Sequence, residues 1–154
     1  MSIFLHWWNI MAKNNKNSFT IIYNGLVEKI TTDTTIINNK SSLTVKALWD
    51  TGANCCCISE ELVKLLNLSP TGKVSFYTPS GAGLAYTYLV DIVLPNNMKI
   101  KQVKMCSSKI GAQNLDLLIG TDIINKGDFA ISNYKNNTCF TFRIPSKECI
   151  DFCK

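Results

Sequence analysis

From Phe19 onward, apolar residues mostly alternate with polar ones or occur in short runs separated by turn-forming residues. Such alternation is typical of β-strands, because successive side chains in a strand point to opposite faces of the sheet. The pattern therefore predicts a mainly β protein. We expect strands over residues 19–23, 27–31, 34–37, 42–49, 56–58, 74–78, 86–94, 99–105, 115–119, 129–132 and 138–144.

A short helix is predicted to begin at Ser59 and to end near Asn67. The Ser59 hydroxyl can accept a hydrogen bond from an exposed N–H group, and the acidic Glu60 and Glu61 suit the first turn of a helix. The residues expected to face inward are Leu62, Val63, Leu65 and Leu66. A second, briefer helix is predicted over residues 121–125, with Gly127 just beyond its end.

The first eighteen residues do not share the strand pattern. Residues 1–11 (MSIFLHWWNIM) are apolar but lack a basic start and are too short to cross a bilayer, so we predict neither a signal peptide nor a membrane partner. Residues 12–18 are polar, and Met11 is an alternative translation start. We therefore expect a flexible leader over residues 1–18, one folded domain over residues 19–154, and a cytoplasmic location.

The composition suits one compact domain, since 46% of the 154 residues are apolar and 18% are charged. The net charge of +5 comes from lysines scattered along the chain rather than from a dense basic stripe. Scattered positive charge is explained either by a solubilising surface or by weak attraction to polyanions. No specific nucleic-acid partner is expected.

Seven cysteines are present, of which Cys55, Cys56 and Cys57 are adjacent. The odd number does not suggest a disulfide framework, and with His6 as the single histidine we expect neither a structural metal nor a cofactor. These thiols are either small buried apolar groups or a redox-sensitive site. The lack of a nearby histidine favours core packing.

The segment ALWDTGAN, residues 47–54, takes an apolar strand directly into Asp50 and then Gly52. A carboxylate at the end of a buried strand loses hydration, so it normally persists where it is paired or used chemically. Asp, Thr and Gly also form ordinary turns. From this segment alone, both a functional site and a simple turn remain open.

Two further segments make the pattern more specific: DLLIGTDII at residues 116–124 and TPSGAG at residues 78–83. Together with residues 47–54, they resemble retropepsin-like aspartic peptidases, in which an Asp-Thr-Gly-Ala loop lies beside an apolar-apolar-Gly segment and a Gly-rich flap covers the bound peptide. The resemblance spans about residues 26–146. It is closest to the small bacterial retropepsin-like proteins, on residues 49–54, 119–133 and 140–146.

This resemblance implies a closed β-barrel with one or two short helices and one lobe per chain. It implies an aspartic endopeptidase that acts on peptides or proteins as a homodimer, with Asp50 of each subunit activating one water. Asp50, Thr51 and Gly52 would form the catalytic loop. The residues implied to contact substrate are Ala53, Asn54, Ser80, Gly81, Ala82, Gly83, Ile119 and Gly120.

Two positions depart from the retroviral pattern. Asn54 and Thr121 stand where retroviral members usually carry Asp and Arg, so no retroviral dimer contacts are transferred to this chain. Asp122 and Asp128 are interpreted as capping residues rather than as additional catalytic acids. The alternative function is a catalytically weak peptide-binding or adaptor module of the same fold.

Overall fold

The computed structural model describes residues 11–39, 41–78 and 80–154. These residues form a mainly β structure with two short α-helices, α1 (Glu60–Leu65) and α2 (Thr121–Ile124). The strands are β1 (Met11–Asn15), β2 (Ser18–Ile22), β3 (Thr31–Asn38), β4 (Ser41–Trp49), β5 (Cys56–Ser59), β6 (Gly72–Thr78), β7 (Gly81–Val93), β8 (Lys99–Ser108), β9 (Leu117–Ile119), β10 (Asp128–Ser132) and β11 (Cys139–Arg143).

Six strands form a closed barrel in the order β3-β4-β9-β5-β8-β7. The barrel closes because β7 pairs with β3 in antiparallel register, with Thr35 opposite Val93 and Ile37 opposite Asp91. Closure leaves none of these six strands with an open edge at the seam. Beyond the barrel, β6 pairs with the first half of β7 as a projecting hairpin, which we call the flap hairpin (residues 72–87). The predicted closed barrel is confirmed.

A second, antiparallel sheet has the order β1-β2-β11-β10 and joins parts of the chain that are distant in sequence. In it, Thr20 Oγ1 donates to Thr141 Oγ1 at 2.9 Å across 121 residues. The apolar face of this sheet buries Phe19, Phe140 and Phe142 in the same core cluster as the barrel residues. Burial of three aromatic rings holds this sheet on the barrel.

The strand predictions agree with the structure except at residues 27–31 and at the start of the chain. Residues 25–30 are irregular, because their backbone groups bond the loop before β11: Thr138 N donates to Gly25 O at 3.0 Å, and Val27 N donates to Thr138 Oγ1 at 3.1 Å. These bonds satisfy backbone groups of Gly25 and Val27 without a strand ladder, while Ile30 O accepts a hydrogen bond from Trp49 N of β4 at 2.9 Å.

The region predicted as a flexible leader also differs from that expectation. Met11–Asn15 forms β1, and Asn15 Oδ1 accepts hydrogen bonds from Asn17 N and Ser18 N, both at 2.9 Å. A side-chain turn of this kind reverses the chain, so polar residues 11–18 form a hairpin despite their composition. Residues 1–10 of the expected leader lie outside the described residues.

Helix α1 begins as predicted, because Ser59 Oγ accepts a hydrogen bond from Leu62 N at 3.1 Å. Leu62 and Leu66 are buried, but Leu65 is 71% exposed, so its predicted inward position was wrong. A helix this short buries one narrow face, and Leu65 lies beside that face rather than on it. Within the described parts of the chain, no helix combines the length and apolar character needed to cross a membrane.

Candidate active site

Asp50 lies where two parallel strands of the barrel separate. Trp49 of β4 is opposite Ile119 of β9, and Asp50 N donates to Ile119 O at 2.9 Å, which adds one hydrogen bond beyond the ladder. After this bond the chain leaves β4 and enters the loop of residues 50–55, which we call the Asp50 loop. The half-buried carboxylate is therefore positioned by the barrel itself.

Within the Asp50 loop, the carboxylate is held by its own turn. Asp50 Oδ1 accepts a hydrogen bond from Gly52 N at 2.8 Å, and Ala53 N donates to Asp50 O at 3.3 Å. A Cβ atom on Gly52 would lie 3.2 Å from Asp50 Oδ1, which is closer than most side chains tolerate. Thr51 and Gly52 are exposed, so this face of the loop is available to a second molecule.

The segment after β9 lies directly against the Asp50 loop. Ala53 O accepts hydrogen bonds from Thr121 N at 2.8 Å and from Thr121 Oγ1 at 3.2 Å. Gly120 is buried, and a Cβ atom there would lie 2.7 Å from the backbone of Cys55 and 2.8 Å from Ala53 O. Only glycine fits this contact, which explains the Gly of the second sequence segment.

The buried Trp49 supports the Asp50 loop from beneath. Its Nε1 donates to Thr32 Oγ1 at 2.9 Å, and its ring centroid lies 4.8 Å from that of Phe142 and 5.0 Å from that of Phe140. The indole therefore connects the end of β4 to the four-stranded sheet. These contacts identify packing as the role of Trp49.

Asp122 connects the second segment to the strand that follows the Asp50 loop. Its carboxylate accepts hydrogen bonds from Cys56 N at 3.0 Å, from Cys56 Sγ at 3.1 Å and from Ile123 N at 3.0 Å. The bond to Ile123 N fits the predicted capping role in the first turn of α2. The two bonds to Cys56 were not predicted, because no local pattern reveals a contact across 66 residues.

Asp128 is not a capping residue, and that prediction was wrong. It is the first residue of β10, and its carboxylate accepts hydrogen bonds from Arg143 Nε at 2.6 Å, from Lys147 N at 2.9 Å and from Ser146 Oγ. These bonds, with the Ser146 hydroxyl foremost, hold the pKa of Asp128 well below its usual range. Asp128 thus fastens the segment after β11 and takes no part in the Asp50 loop.

The flap hairpin carries the predicted Gly-rich tip. Thr78 is opposite Gly81, and Thr78 Oγ1 contacts Ser80 Oγ at 2.9 Å and donates to Gly81 O at 3.1 Å. Gly81 has a φ of +133°, a conformation that residues with a Cβ atom rarely adopt. Gly83 is opposite Phe76, whose ring occupies the space that a Gly83 side chain would need.

A cavity of about 580 Å³ lies between the flap hairpin and the barrel. Phe76, Thr78, Leu84 and Tyr86 line it from the hairpin, while Cys55 of the Asp50 loop and Cys106 of β8 line it from the other side. Asp50 is not among its lining residues. A group bound in this cavity would therefore lie beside the Asp50 loop rather than directly on the carboxylate.

The structure brings most of the sequence-predicted site residues together. Residues 50–54 form the loop, and Ile119 and Gly120 lie beneath it, both buried. Ser80, Gly81, Ala82 and Gly83 lie apart, at the tip of the flap hairpin, and no hydrogen bond between described residues joins that tip to the Asp50 loop. Among the described residues, no cluster of His, Cys, Asp and Glu has the arrangement of a metal site.

Comparison with known families identifies the fold of this site. Residues 34–126, which include both the Asp50 loop and Gly120, match the model of the family described as "gag-polyprotein putative aspartyl protease". The chain belongs to this family. The resemblance to retropepsin-like peptidases that the sequence indicated is thus confirmed.

Solved structures of retropepsin-like proteases share the fold. A retropepsin-like aspartic protease from Rickettsia conorii is similar over 89% of this chain and 98% of its own, with 15% identity and a TM-score of 0.54. EIAV protease, in complex with the inhibitor HBY-793, is similar over 65% of this chain and 88% of its own, with 20% identity and a TM-score of 0.50. A search of curated proteins finds no match to this chain.

Proposed function

We propose that this chain is an aspartic endopeptidase that works as a homodimer, with Asp50 of each protomer forming one catalytic pair. The observation that carries the proposal is the Asp50 turn, fixed by Gly52 N and held against β9 and Thr121 in a member of an aspartyl protease family. The half-buried carboxylate and its two exposed neighbours, Thr51 and Gly52, face a region where a second subunit can approach.

The requirement for two subunits follows from the chemistry. The sequence contains Asp-Thr-Gly once, at residues 50–52. Hydrolysis of an amide by this route needs one carboxylate as base and one carboxylic acid as proton donor on the same carbonyl group. A single lobe holds half of that pair, and a two-fold axis through the two loops completes it.

In the dimer, two carboxyl groups about 3 Å apart share one proton, because both cannot be ionised at that separation. The ionised Asp50 removes a proton from water, whose oxygen bonds to the peptide carbonyl carbon. The protonated Asp50 donates its proton to the carbonyl oxygen. The diol intermediate then collapses: one of its hydroxyl groups returns a proton to the second Asp50, the C–N bond breaks, and the amine leaves with the proton held by the first Asp50.

The other predicted site residues receive roles that fit their exposure. Thr51 is exposed and is proposed to hydrogen-bond across the two-fold axis, while Ala53 and Asn54 contact substrate from the loop. Ile119 and Gly120 are buried, so we assign them to positioning the loop rather than to direct substrate contact. The flap tip, residues 80–83, is proposed to close over the bound peptide and exclude water.

The decisive experiment compares Asp50→Asn with Asp33→Asn, a control in an exposed ion pair with Lys46. Each protein is assayed with casein and a peptide library, and its mass in solution is measured by sedimentation. Asp50→Asn should lose activity by about a thousandfold or more and keep the dimer mass, since the amide keeps the shape of the side chain. Cleavage by Asp50→Asn at the wild-type rate would overturn the proposal. So would a 17.2 kDa monomer that keeps full activity per chain.

One observation favours a second candidate, a peptide-binding module with negligible turnover. The cavity beside the flap hairpin is lined by Phe76, Leu84 and Tyr86 but not by Asp50, so it could hold an apolar side chain without catalysis. This candidate predicts that the wild-type protein binds peptides without cleaving them. It also predicts that Asp50→Asn binds them equally well.

A further inference from the structure

Cys55 and Cys106 bring their sulfur atoms within 3.1 Å of each other on the wall of the cavity beside the flap hairpin. We propose that these two thiols are a redox modification site: they form a reversible disulfide, and its formation lowers peptide cleavage. The disulfide itself is independent of the proposed peptidase function, whereas the effect on cleavage rests on it.

The geometry places the pair close to bonding distance. A disulfide bond is about 2.05 Å long, so the two sulfur atoms need to approach by only about 1 Å. Cys55 belongs to the Asp50 loop and Cys106 to β8, and 51 residues separate them in sequence. Proximity between such distant residues arises from the fold and is not a product of local chain geometry.

The cavity gives a small oxidant a route to the pair. Both thiols line it, with Cys55 half-buried and Cys106 only 7% exposed. An oxidant entering the cavity therefore meets Cys55 first. Burial raises the pKa of Cys106 to about 12, so this thiol is mostly protonated and reacts more slowly than an unperturbed thiol with an oxidant in solution.

A third thiol, Cys57, is the natural competitor. Cys57 is opposite Cys106 in the parallel β5–β8 ladder, and its Sγ lies 3.7 Å from Cys55 O. Burial raises the pKa of Cys57 to about 12, with the neighbouring thiols of Cys55 and Cys106 adding to the effect. The short contact of Cys106 is with Cys55, however, which favours that pairing. Cys56 is directed to Asp122 instead.

The reaction balances with a small-molecule disulfide as the oxidant. The Cys55 thiol loses its proton, its sulfur bonds to one sulfur of the reagent, and the reagent S–S bond breaks to release one small thiol. Cys106 then loses its proton and its sulfur attacks Cys55 Sγ, which expels the second small thiol. Two protein thiols are oxidised and one small disulfide is reduced to two thiols.

The new bond would join the Asp50 loop to β8, next to the base of the flap hairpin. Cys55 follows Asn54, and its backbone packs against the position of Gly120. Cys106 is opposite Thr87 in β7, the strand that also carries the flap tip. Formation of the bond draws the two sulfur atoms about 1 Å closer together, which displaces the Asp50 loop. Misplacement of an active-site group by about 1 Å can cost about a hundredfold in rate.

The site is tested by treating the full chain with oxidised glutathione, followed by peptide mapping without reduction. We expect one linkage between the peptides that contain Cys55 and Cys106, with the loss of two hydrogens and full reversal by dithiothreitol. The linkage should disappear in Cys55→Ser and in Cys106→Ser, and persist in Cys57→Ser and in Cys139→Ser. The oxidised protein should melt on the order of 5–10 °C higher. A linkage through Cys57, or glutathione adducts without a linkage, would overturn the proposal.

The effect on cleavage is measured as the ratio of oxidised to reduced turnover in each variant. Wild type and Cys57→Ser should lose about tenfold or more on oxidation, and Cys55→Ser, which can form neither the linkage nor a glutathione adduct at position 55, should show a ratio near one. An unchanged ratio in wild type with the linkage formed would overturn the regulatory effect. Asp50→Asn should form the Cys55–Cys106 linkage to the same extent as wild type. This comparison tests the disulfide even if no cleavage is found in any protein.

Discussion

The carboxylate of Asp122 accepts hydrogen bonds from both the backbone N–H and the thiol of Cys56, at 3.0 and 3.1 Å. Burial raises the pKa of the Cys56 thiol, so the sulfur keeps its proton and remains a donor. Cys56 begins β5 directly after the Asp50 loop, and Asp122 lies in α2. The hydrogen bonds between these two residues therefore hold the end of the Asp50 loop against α2. The loop therefore depends on Asp122 for its position although Asp122 is not proposed to contact substrate.

Replacing Asp122 should separate stability from catalysis. Asp122→Ala leaves the buried Cys56 N–H without its partner, so we expect a loss of about 1–3 kcal/mol in the free energy of unfolding. Asp122→Asn keeps one acceptor oxygen and should lose less. Urea unfolding and peptide cleavage measure the two effects. Measurable turnover by Asp122→Asn is expected, and complete loss of turnover with normal stability would instead make Asp122 a catalytic acid.

Trp49→Phe should weaken the core beneath the Asp50 loop. The smaller ring fills less of the buried site and leaves Thr32 Oγ1 without the indole N–H, so we expect about 2–4 kcal/mol less stability. Adding Thr32→Val also removes the hydroxyl that accepts the indole N–H. If the hydrogen bond contributes, the double variant will be more stable than the sum of the single losses predicts. Strict additivity in urea unfolding would show that packing alone accounts for the effect.

The flap prediction uses a matched pair of variants at the hairpin tip. In Gly83→Val the new side chain displaces the Phe76 ring, which lines the neighbouring cavity, whereas Ala82→Val is exposed and lacks that contact. We expect Gly83→Val to lower turnover several-fold and Ala82→Val to lower it less. Both melting temperatures should stay within about 3 °C of wild type, because the tip lies outside the barrel. A large loss of stability with normal turnover would make the hairpin a structural element.

Acid should release the contact that Asp128 makes with the segment after β11. The pKa of Asp128 is lowered in the folded protein by hydrogen bonds from Ser146, Lys147 and Arg143. The contribution of Asp128 to the free energy of unfolding is therefore fully present above the pKa of an unfolded Asp, about 3.9. It is lost as the pH falls toward the lower pKa of Asp128 in the folded protein. The stability difference between wild type and Asp128→Asn should be constant from pH 7 to about 5 and shrink below about pH 4.

Urea unfolding at several pH values measures that difference. Asp151→Asn serves as the control. It removes the same charge, but the Asp151 carboxylate accepts a hydrogen bond only two residues away in sequence, from Cys153 N. Its stability relative to wild type should not follow the same profile. An Asp128→Asn difference that is as large at about pH 2.5 as at pH 7 would contradict the assigned hydrogen bonds.

The strands of the barrel were predictable because the sequence signals for them are local, whereas the closed barrel itself was implied by the family resemblance. Alternation of apolar and polar residues predicts which side chains lie on each face of a strand. Ser59 predicts the start of a helix, and the Asp-Thr-Gly motif at residues 50–52 predicts the end of β4. The β1 hairpin escaped prediction because residues 11–18 are polar, and their conformation depends on the side-chain turn at Asn15. The irregular path of residues 27–30 was not predicted, because the partner of Val27 N is Thr138, 111 positions away.

The candidate site shows the same division. Asp50, Gly52 and Gly120 were named from the resemblance of residues 47–54 and 116–124 to retropepsin-like peptidases, and the structure supplies the physical reason for glycine at positions 52 and 120. The contacts of Asp122 with Cys56 and of Cys55 with Cys106 could not be found, because they join residues 66 and 51 positions apart. Pairings of this kind are set by strand order, which a single sequence does not determine.

The pairing of β2 with β11 has a consequence for synthesis of the chain. Thr20 and Thr141 are 121 positions apart, so β2 leaves the ribosome long before its partner strand exists. Until β11 has emerged, Phe19 lacks the rings of Phe140 and Phe142, and the four-stranded sheet cannot cover the base of the barrel. A nascent chain therefore holds an unfinished core beneath Asp50 until β11 has emerged.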